Sequence, residues 1–199
     1  MQLLFSDASP YARTVRVVIA QFAIRGIEPV AVNPLDNTEL LLDANPLAKI
    51  PCLLLNDGGA LYDSEVILRY LDHEYCGGEL FGQPGDSWYG ETQYSLIKGL
   101  LDSAVALRQE QMRDDEGLRS PFWTARFEQA LLRGLAQIEL MAISGHSKLS
   151  LQQICLACLL EYMDFRHPDL DWRKVAPATA RWLQTFSMGA AMLTTRPGA

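Results

Sequence analysis

Three short segments of this 199-residue chain carry residue types that could hold and activate a small ligand: Ser9-Pro10-Tyr11, Asn45-Pro46-Leu47-Ala48-Lys49-Ile50-Pro51 and Leu61-Tyr62-Asp63-Ser64. Serine followed by proline is a strong helix start, because the serine oxygen caps an orphan N–H and the fixed φ of proline suits the first helical position. A hydroxyl placed there also stands at the positive end of a helix dipole, where an anion is favoured. An X-Pro bond just before a strand can be cis and marks a tight turn. A turn that leaves the Ile50 N–H and C=O facing outward would let them pair with an extended ligand, as an added strand does. Ser64 is expected at the N-cap of a further helix, whose dipole favours a carboxylate. Together these residues describe a site for a small anionic peptide.

The elements that position them follow from hydrophobic spacing. Residues 1–5 and 28–32 read as short strands around a helix in which Val15, Val18, Ile19 and Phe22 recur at helical intervals and which Gly26 closes. Cys52-Leu53-Leu54-Leu55, the turn Asp57-Gly58-Gly59 and Ala60-Leu61-Tyr62 predict a hairpin, followed by a helix over 64–75. This βαβ-then-ββα order is the thioredoxin-like pattern; Leu35 to Ala44 is compatible with a short helix or an irregular loop. Residues 78–87, with Gly82, Pro84 and Gly85, read as a linker, and helical spacing follows over 88–113, 122–143, 150–165 and 178–192. Ser120-Pro121 and Ser144-Gly145 punctuate these helices, and Ser150 with Gln153 is a capping-box pair. The expected fold class is α/β plus all-α: a thioredoxin-like domain over 1–77, the linker, and an all-helical bundle over 88–199.

In this order and spacing, Ser9-Pro10-Tyr11-Ala12-Arg13-Thr14-Val15-Arg16-Val17, Lys49-Ile50-Pro51 and Asp63-Ser64 resemble the glutathione-binding domain of the glutathione S-transferase superfamily. With Leu100-Leu101-Asp102-Ser103-Ala104-Val105-Ala106-Leu107-Arg108 they resemble a bacterial, serine-type group within it. The resemblance implies glutathione as co-substrate with no separate cofactor, a small electrophile as second substrate, a detoxification-type transferase activity and a two-fold homodimer. It also implies residue roles. Ser9 would donate to the glutathione sulfur, with Tyr11 as rival donor; Ile50 would pair with the cysteinyl backbone; Asp63 and Ser64 would hold the γ-glutamyl amine and carboxylate; and Lys49 would meet the glycyl carboxylate or be simply solvated. Asp63 is one methylene shorter than the glutamate often found here, and Gln153 stands where aspartate is usual.

The chemistry behind these roles is thiol activation. A free thiol of pKa about 8.5 is only a few per cent thiolate at neutral pH, and lowering it by about two units takes about 2.7 kcal/mol. A hydroxyl hydrogen bond at a helix start supplies stabilisation of that kind. Serine at position 9 cannot form a mixed disulfide, which argues against a glutaredoxin-like reductase. A binding module that keeps the fold without turnover, as in the stringent starvation protein group, is the alternative.

For the second substrate the candidates are Tyr11, Ala104, Arg108 and Met112; the last three share a face at i, i+4, i+8, and Arg108 could clamp an anionic group or pair with Glu110 or Asp102. Tyr162, Phe165 and Trp172 offer an apolar wall or core packing; Phe165-Arg166-His167-Pro168-Asp169 reads as a surface turn. With 49% hydrophobic residues a sizeable core is available, and a net charge of −7 without a local basic patch argues against nucleic acid or membrane surfaces as partners. The N-terminus turns polar at Ser6-Asp7 and no apolar run approaches a bilayer span, so a cytoplasmic protein is expected. Cys155-Leu156-Ala157-Cys158 sits in an apolar helical run, which favours buried thiols over a redox pair. Cys52 and Cys76, and the isolated His73, His146 and His167, give no metal-ligand spacing, so no metal site is expected.

Overall fold

The apolar run Leu3-Leu4-Phe5 forms one of the two inner strands of a small sheet. In the computed structural model, which describes residues 1–81, 88–141 and 149–197, β1 (Gln2–Phe5) leads into α1 (Pro10–Gln21) and then β2 (Glu28–Ala31), parallel to β1. The expected linker glycines and proline at 82, 84 and 85, the break at 144–145 and His146 lie outside the described residues. β3 (Cys52–Leu54) and β4 (Ala60–Leu61) complete the order β2-β1-β3-β4, with β3 antiparallel to both β1 and β4. Leu4, Leu41 and Cys52 form one buried cluster on this sheet, with Val30, Ile50 and Tyr62 packed around it. Fully burying a leucine of this kind stabilises by about 1.5–3 kcal/mol. The stretch between β2 and β3 is partly helical: a 3-10 turn at Pro34–Asp36, capped by Asn33, then α2 (Glu39–Ala44), whose Leu41 enters the cluster.

α1 ends earlier than glycine spacing predicts. Ala23, not Gly26, takes the left-handed conformation after the helix, at φ 50°. Ile24 N–H donates to the Ile19 carbonyl at 2.9 Å and Ala23 N–H to that of Ala20 at 3.3 Å, the two bonds of a Schellman cap. Gly26, at φ +81°, serves the turn into β2 instead. α3 (Ser64–Leu71) packs against α1 and runs into a π-helical turn at Asp72–Cys76, shorter in regular helix than the expected 64–75. The buried Asp72 carboxylate then pins the following chain, accepting from Leu80 N–H at 3.0 Å and Phe81 N–H at 3.1 Å.

The helical part contains α4 (Trp88–Met112), α5 (Pro121–Met141), α6 (Leu151–Arg166) and α7 (Pro177–Phe186). α6 is buried nearly all round, from Ile154 through Leu160. Its start is the expected capping box: Gln153 N–H donates to Ser150 Oγ at 3.4 Å, and Ser150 N–H to Gln153 Oε1 at 3.3 Å. Gly134 lets α5 close on α4, since a Cβ there would lie 2.4 Å from Leu100 Cδ2. The single helix expected over 178–192 is two, because Gly189 breaks it and starts α8 (Ala190–Thr194). The chain's contacts divide it into Met1–Pro84 with Gly189–Ala199, and Gly85–Met188. The last segment thus joins the sheet unit rather than the bundle expected to run to 199: α8 packs on α1, and Arg13 Nη2 donates to the Met192 carbonyl at 3.3 Å.

α7 has no side chain of its own at its start, Ala176 standing at the N-cap. Glu139 of α5 replaces one: its carboxylate accepts from Ala178 N–H (2.7 Å), Thr179 N–H (2.9 Å) and Thr179 Oγ1 (2.7 Å). Desolvation raises its pKa, but the Thr179 and Ala178 hydrogen bonds and Arg181 outweigh this and hold it below its ordinary value of 4.5. Glu139→Ala should lower stability by about 1–2 kcal/mol, the size of a lost helix cap with its donors left open. The unfolded chain binds the proton more readily, so the Glu139 contribution is full above pH about 4.5 and is lost as pH falls toward the lower folded value. Urea titrations of wild type and variant should differ by that amount at pH 7 and approach each other as pH is lowered below about 4; a constant gap across that range contradicts this cap.

Candidate functional site

Sheet register brings the three ligand-type segments to one place. β1 ends at Phe5, β3 begins at Cys52 opposite Leu4, and β4, antiparallel to β3, ends at Leu61 opposite Leu53. The loop to Ser9, the Ile50-Pro51 turn and Tyr62-Asp63-Ser64 therefore all lie at the same end of the sheet, together with the N-termini of α1 and α3.

Ser9 is the N-cap of α1, and its Oγ accepts from Ala12 N–H at 3.1 Å. A hydroxyl accepts with its lone pairs, so capping leaves the hydrogen to donate. Among the described residues that hydrogen has no acceptor, and Ser9 is half-buried. The cap and the thiolate donor are therefore compatible roles of one side chain. Tyr11 follows on the first turn, also half-buried.

The second segment is built around a residue the sequence reading passed over. Asn45, 1% exposed, donates through Nδ2 to the Lys49 carbonyl at 2.8 Å and accepts at Oδ1 from Leu47 N–H at 3.0 Å. Its signal was the Asn-Pro pair, since an asparagine side chain readily mimics a backbone turn. Ile50-Pro51 is cis, and the Ile50 N–H and C=O make no hydrogen bond among the described residues. The Ile50 side chain packs on the sheet cluster, whereas Lys49 is exposed.

The third segment shifts by one residue. Asp63, not Ser64, is the N-cap of α3, with Oδ1 accepting from Glu65 N–H at 3.0 Å. Aspartate outcompetes the following serine because its carboxylate also favours the positive helix end. Ser64 is instead the first residue of the helix, 8% exposed, while Asp63 is exposed. The Tyr62-Asp63 peptide is cis.

In the helical unit the expected second-substrate face is divided. Ala104 is fully buried and its carbonyl accepts from His167 Nε2 at 2.9 Å, so it belongs to the core and offers no wall to a substrate. Arg108 is half-buried and Met112 exposed on the same helix. Arg108 does not take the expected ion pairs: Glu110 is held by Arg113 at 3.2 Å and by Ser120 N–H at 2.7 Å. Trp172 is core, donating from Nε1 to Asp164 at 2.9 Å. His167, expected in a surface turn, is buried and clamps α6 to α4. With Nε2 donating to a carbonyl, its Nδ1 accepts from Gln111 Nε2 at 3.2 Å. Burial first, then Arg108 and Arg166, push its pKa down against the Ala104 hydrogen bond, so the ring is neutral at pH 7.

The cysteines are not disulfide-bonded, and all four are buried. Burial, with Asp72 and Glu79, pushes the Cys76 thiol up to about 11, and burial raises Cys52 as well, the opposite of a reactive thiolate. No group of His, Cys, Asp and Glu able to hold a metal ion occurs among the described residues, and none of the helices described is long and apolar enough to cross a membrane.

A thioredoxin-like unit followed by a helical unit is the architecture of the glutathione S-transferases, and comparison with known proteins agrees. The model of the glutathione S-transferase N-terminal domain matches residues 8–74, and that of the C-terminal domain residues 121–185. A glutathione transferase family member from Pseudomonas fluorescens Pf-5, solved with bound glutathione, is 35% identical, with 100% of this chain and 99% of that one covered and a TM-score of 0.86. A structure of a family member from the same strain with bound S-(propanoic acid)-glutathione is 34% identical over 100% of both chains, with a TM-score of 0.82. A glutathione S-transferase from Methylobacillus flagellatus KT, with glutathione bound, is 34% identical over 99% of both, with a TM-score of 0.89. This chain belongs to the glutathione S-transferase superfamily.

Proposed function

We propose that the protein is a glutathione transferase that binds reduced glutathione at the sheet end of its first unit and transfers it to a small electrophile. The observation that carries this reading is the convergence of Ser9, Ile50 and Asp63-Ser64 at one end of the sheet, with the Ser9 hydrogen uncommitted. Glutathione bound in the similar Pseudomonas and Methylobacillus proteins supports it. In this reading the Ile50 N–H and C=O pair with the cysteinyl residue of the ligand. Asp63 and Ser64 receive its γ-glutamyl end, and Lys49 receives its glycyl carboxylate. The thiol proton leaves to solvent while Ser9 donates to the sulfur and the α1 dipole adds its share. The thiolate then forms an S–C bond, and either a leaving group departs with its electron pair or a conjugated double bond takes up the electrons and a proton. Arg108 and Met112 of the helical unit contribute to binding the second substrate. A homodimeric state and a cytoplasmic location are part of the proposal.

Isothermal titration with reduced glutathione and with S-hexylglutathione tests it. Both should bind, the hexyl form more tightly because its chain buries apolar surface, and turnover with model electrophiles should follow. Binding of neither at millimolar concentration refutes the transferase reading and favours the non-catalytic module.

A further inference from the structure

Two arginines of the helical unit face the same spot without a carboxylate to neutralise them. Ala104 and Gln111 of α4 both contact His167 at the end of α6, and Arg108 lies between them on that face. Arg166 precedes His167 in the chain, its guanidinium stacked 3.9 Å from the centre of the Phe165 ring. The Tyr162 ring meets His167 edge-on at 5.9 Å. The neighbouring carboxylates are committed elsewhere: Asp164 holds Arg173 through two 2.7 Å bonds, and Glu110 holds Arg113 and Ser120. Among the described residues neither Arg108 nor Arg166 has an acidic partner, and the hydroxyl of Tyr162, a residue 5% exposed, has no hydrogen-bond partner.

Bringing two half-buried like charges together is unfavourable unless something negative completes the group, and the Tyr162 hydroxyl beside them is open to solvent and free to join in binding it. Desolvation and then Arg108 lower the Arg166 pKa, and desolvation raises that of Tyr162, which stays a donor at neutral pH. The C-terminal helix dipole accounts for one cation at Arg166, but not for Arg108 or the tyrosine.

From this arrangement we infer that Arg108, Arg166 and the Tyr162 hydroxyl form a binding site for the carboxylate of a small organic acid, with Phe165 beside its apolar part. Two guanidinium forks suit a planar carboxylate. That this acid is the transferase's second substrate rests on the reading above; the anion site itself does not.

The test is calorimetric titration of the full-length protein with 4-phenylbutanoate and with its neutral isostere 4-phenylbutanamide. Wild type should bind the acid at least about tenfold more tightly than the amide, the scale of charge-assisted hydrogen bonds. Arg108→Gln and Arg166→Gln should each reduce that ratio to within about threefold, and Arg108→Lys should restore part of it. Equal binding of acid and amide, binding of neither, or a preference that survives both glutamine variants would overturn the site. Because the acid–amide comparison is made on wild type, a variant that fails to fold does not remove it. Parallel titrations with reduced glutathione separate the two readings: an acid preference without glutathione binding keeps the anion site and removes the transferase.

Discussion

Ser9→Ala is expected to leave glutathione bound, within about tenfold of wild-type affinity, while raising the pKa of its thiol by about 1–2 units. Starting from a bound thiol about two units below the free value of about 8.5, that is about a three- to twenty-fivefold smaller thiolate fraction at neutral pH, and the rate of conjugation should fall with it. The variant also loses the N-cap bond to Ala12, so a drop in stability of about 1 kcal/mol accompanies the change and has to be separated from it. Ser9→Thr does this, since threonine retains both the lone pairs for the cap and the hydrogen for sulfur, and should restore the thiolate. The readout is the ultraviolet absorbance of bound thiolate followed across pH. An unchanged titration in Ser9→Ala would transfer the role to Tyr11 or to the helix end alone.

At the opposite end of the ligand, Asp63→Asn and Ser64→Ala should each weaken glutathione binding by roughly 1–3 kcal/mol, or about 5- to 150-fold, because each leaves a charged group of the ligand unpaired. Asparagine is chosen over alanine at 63 because it keeps the cap acceptor for Glu65 N–H while removing the charge. A loss of affinity at unchanged melting temperature then belongs to the ligand contact and not to α3. Calorimetry showing full affinity in both variants would remove the γ-glutamyl assignment. The thiol pKa in the residual complex should not move in either variant, which distinguishes this end of the site from Ser9.

What the sequence made legible was local. The Ser9 cap and the Ser150–Gln153 capping box form between residues three apart, so residue type and spacing suffice to predict them. The βαβ-ββα order needed only the apolar runs and the glycine turn. Where neighbours compete, spacing alone falls short: Asp63 and Ser64 are both good caps, and only the helix register decides between them. The end of α1 was misread because an alanine carries no signal for a left-handed backbone, whereas Gly26 does. Long-range partnerships were invisible. Glu139 caps a helix from 39 residues away, His167 reaches a carbonyl 63 residues back, and Ala104 reads as part of an exposed face until that carbonyl and its burial are seen.

The bond from Arg13 to the Met192 carbonyl spans 179 residues. During synthesis, domains ordinarily mature in the order in which they emerge. Here the helix that presents Ser9 is covered on one side by residues translated after the helical unit, so the sheet unit cannot be completed until the bundle sequence between them has been made. A nascent chain of this protein therefore carries α1 with one side uncovered until the helical unit has been made. Cutting the gene between the sheet and helical segments would likewise yield a first fragment lacking part of its own fold.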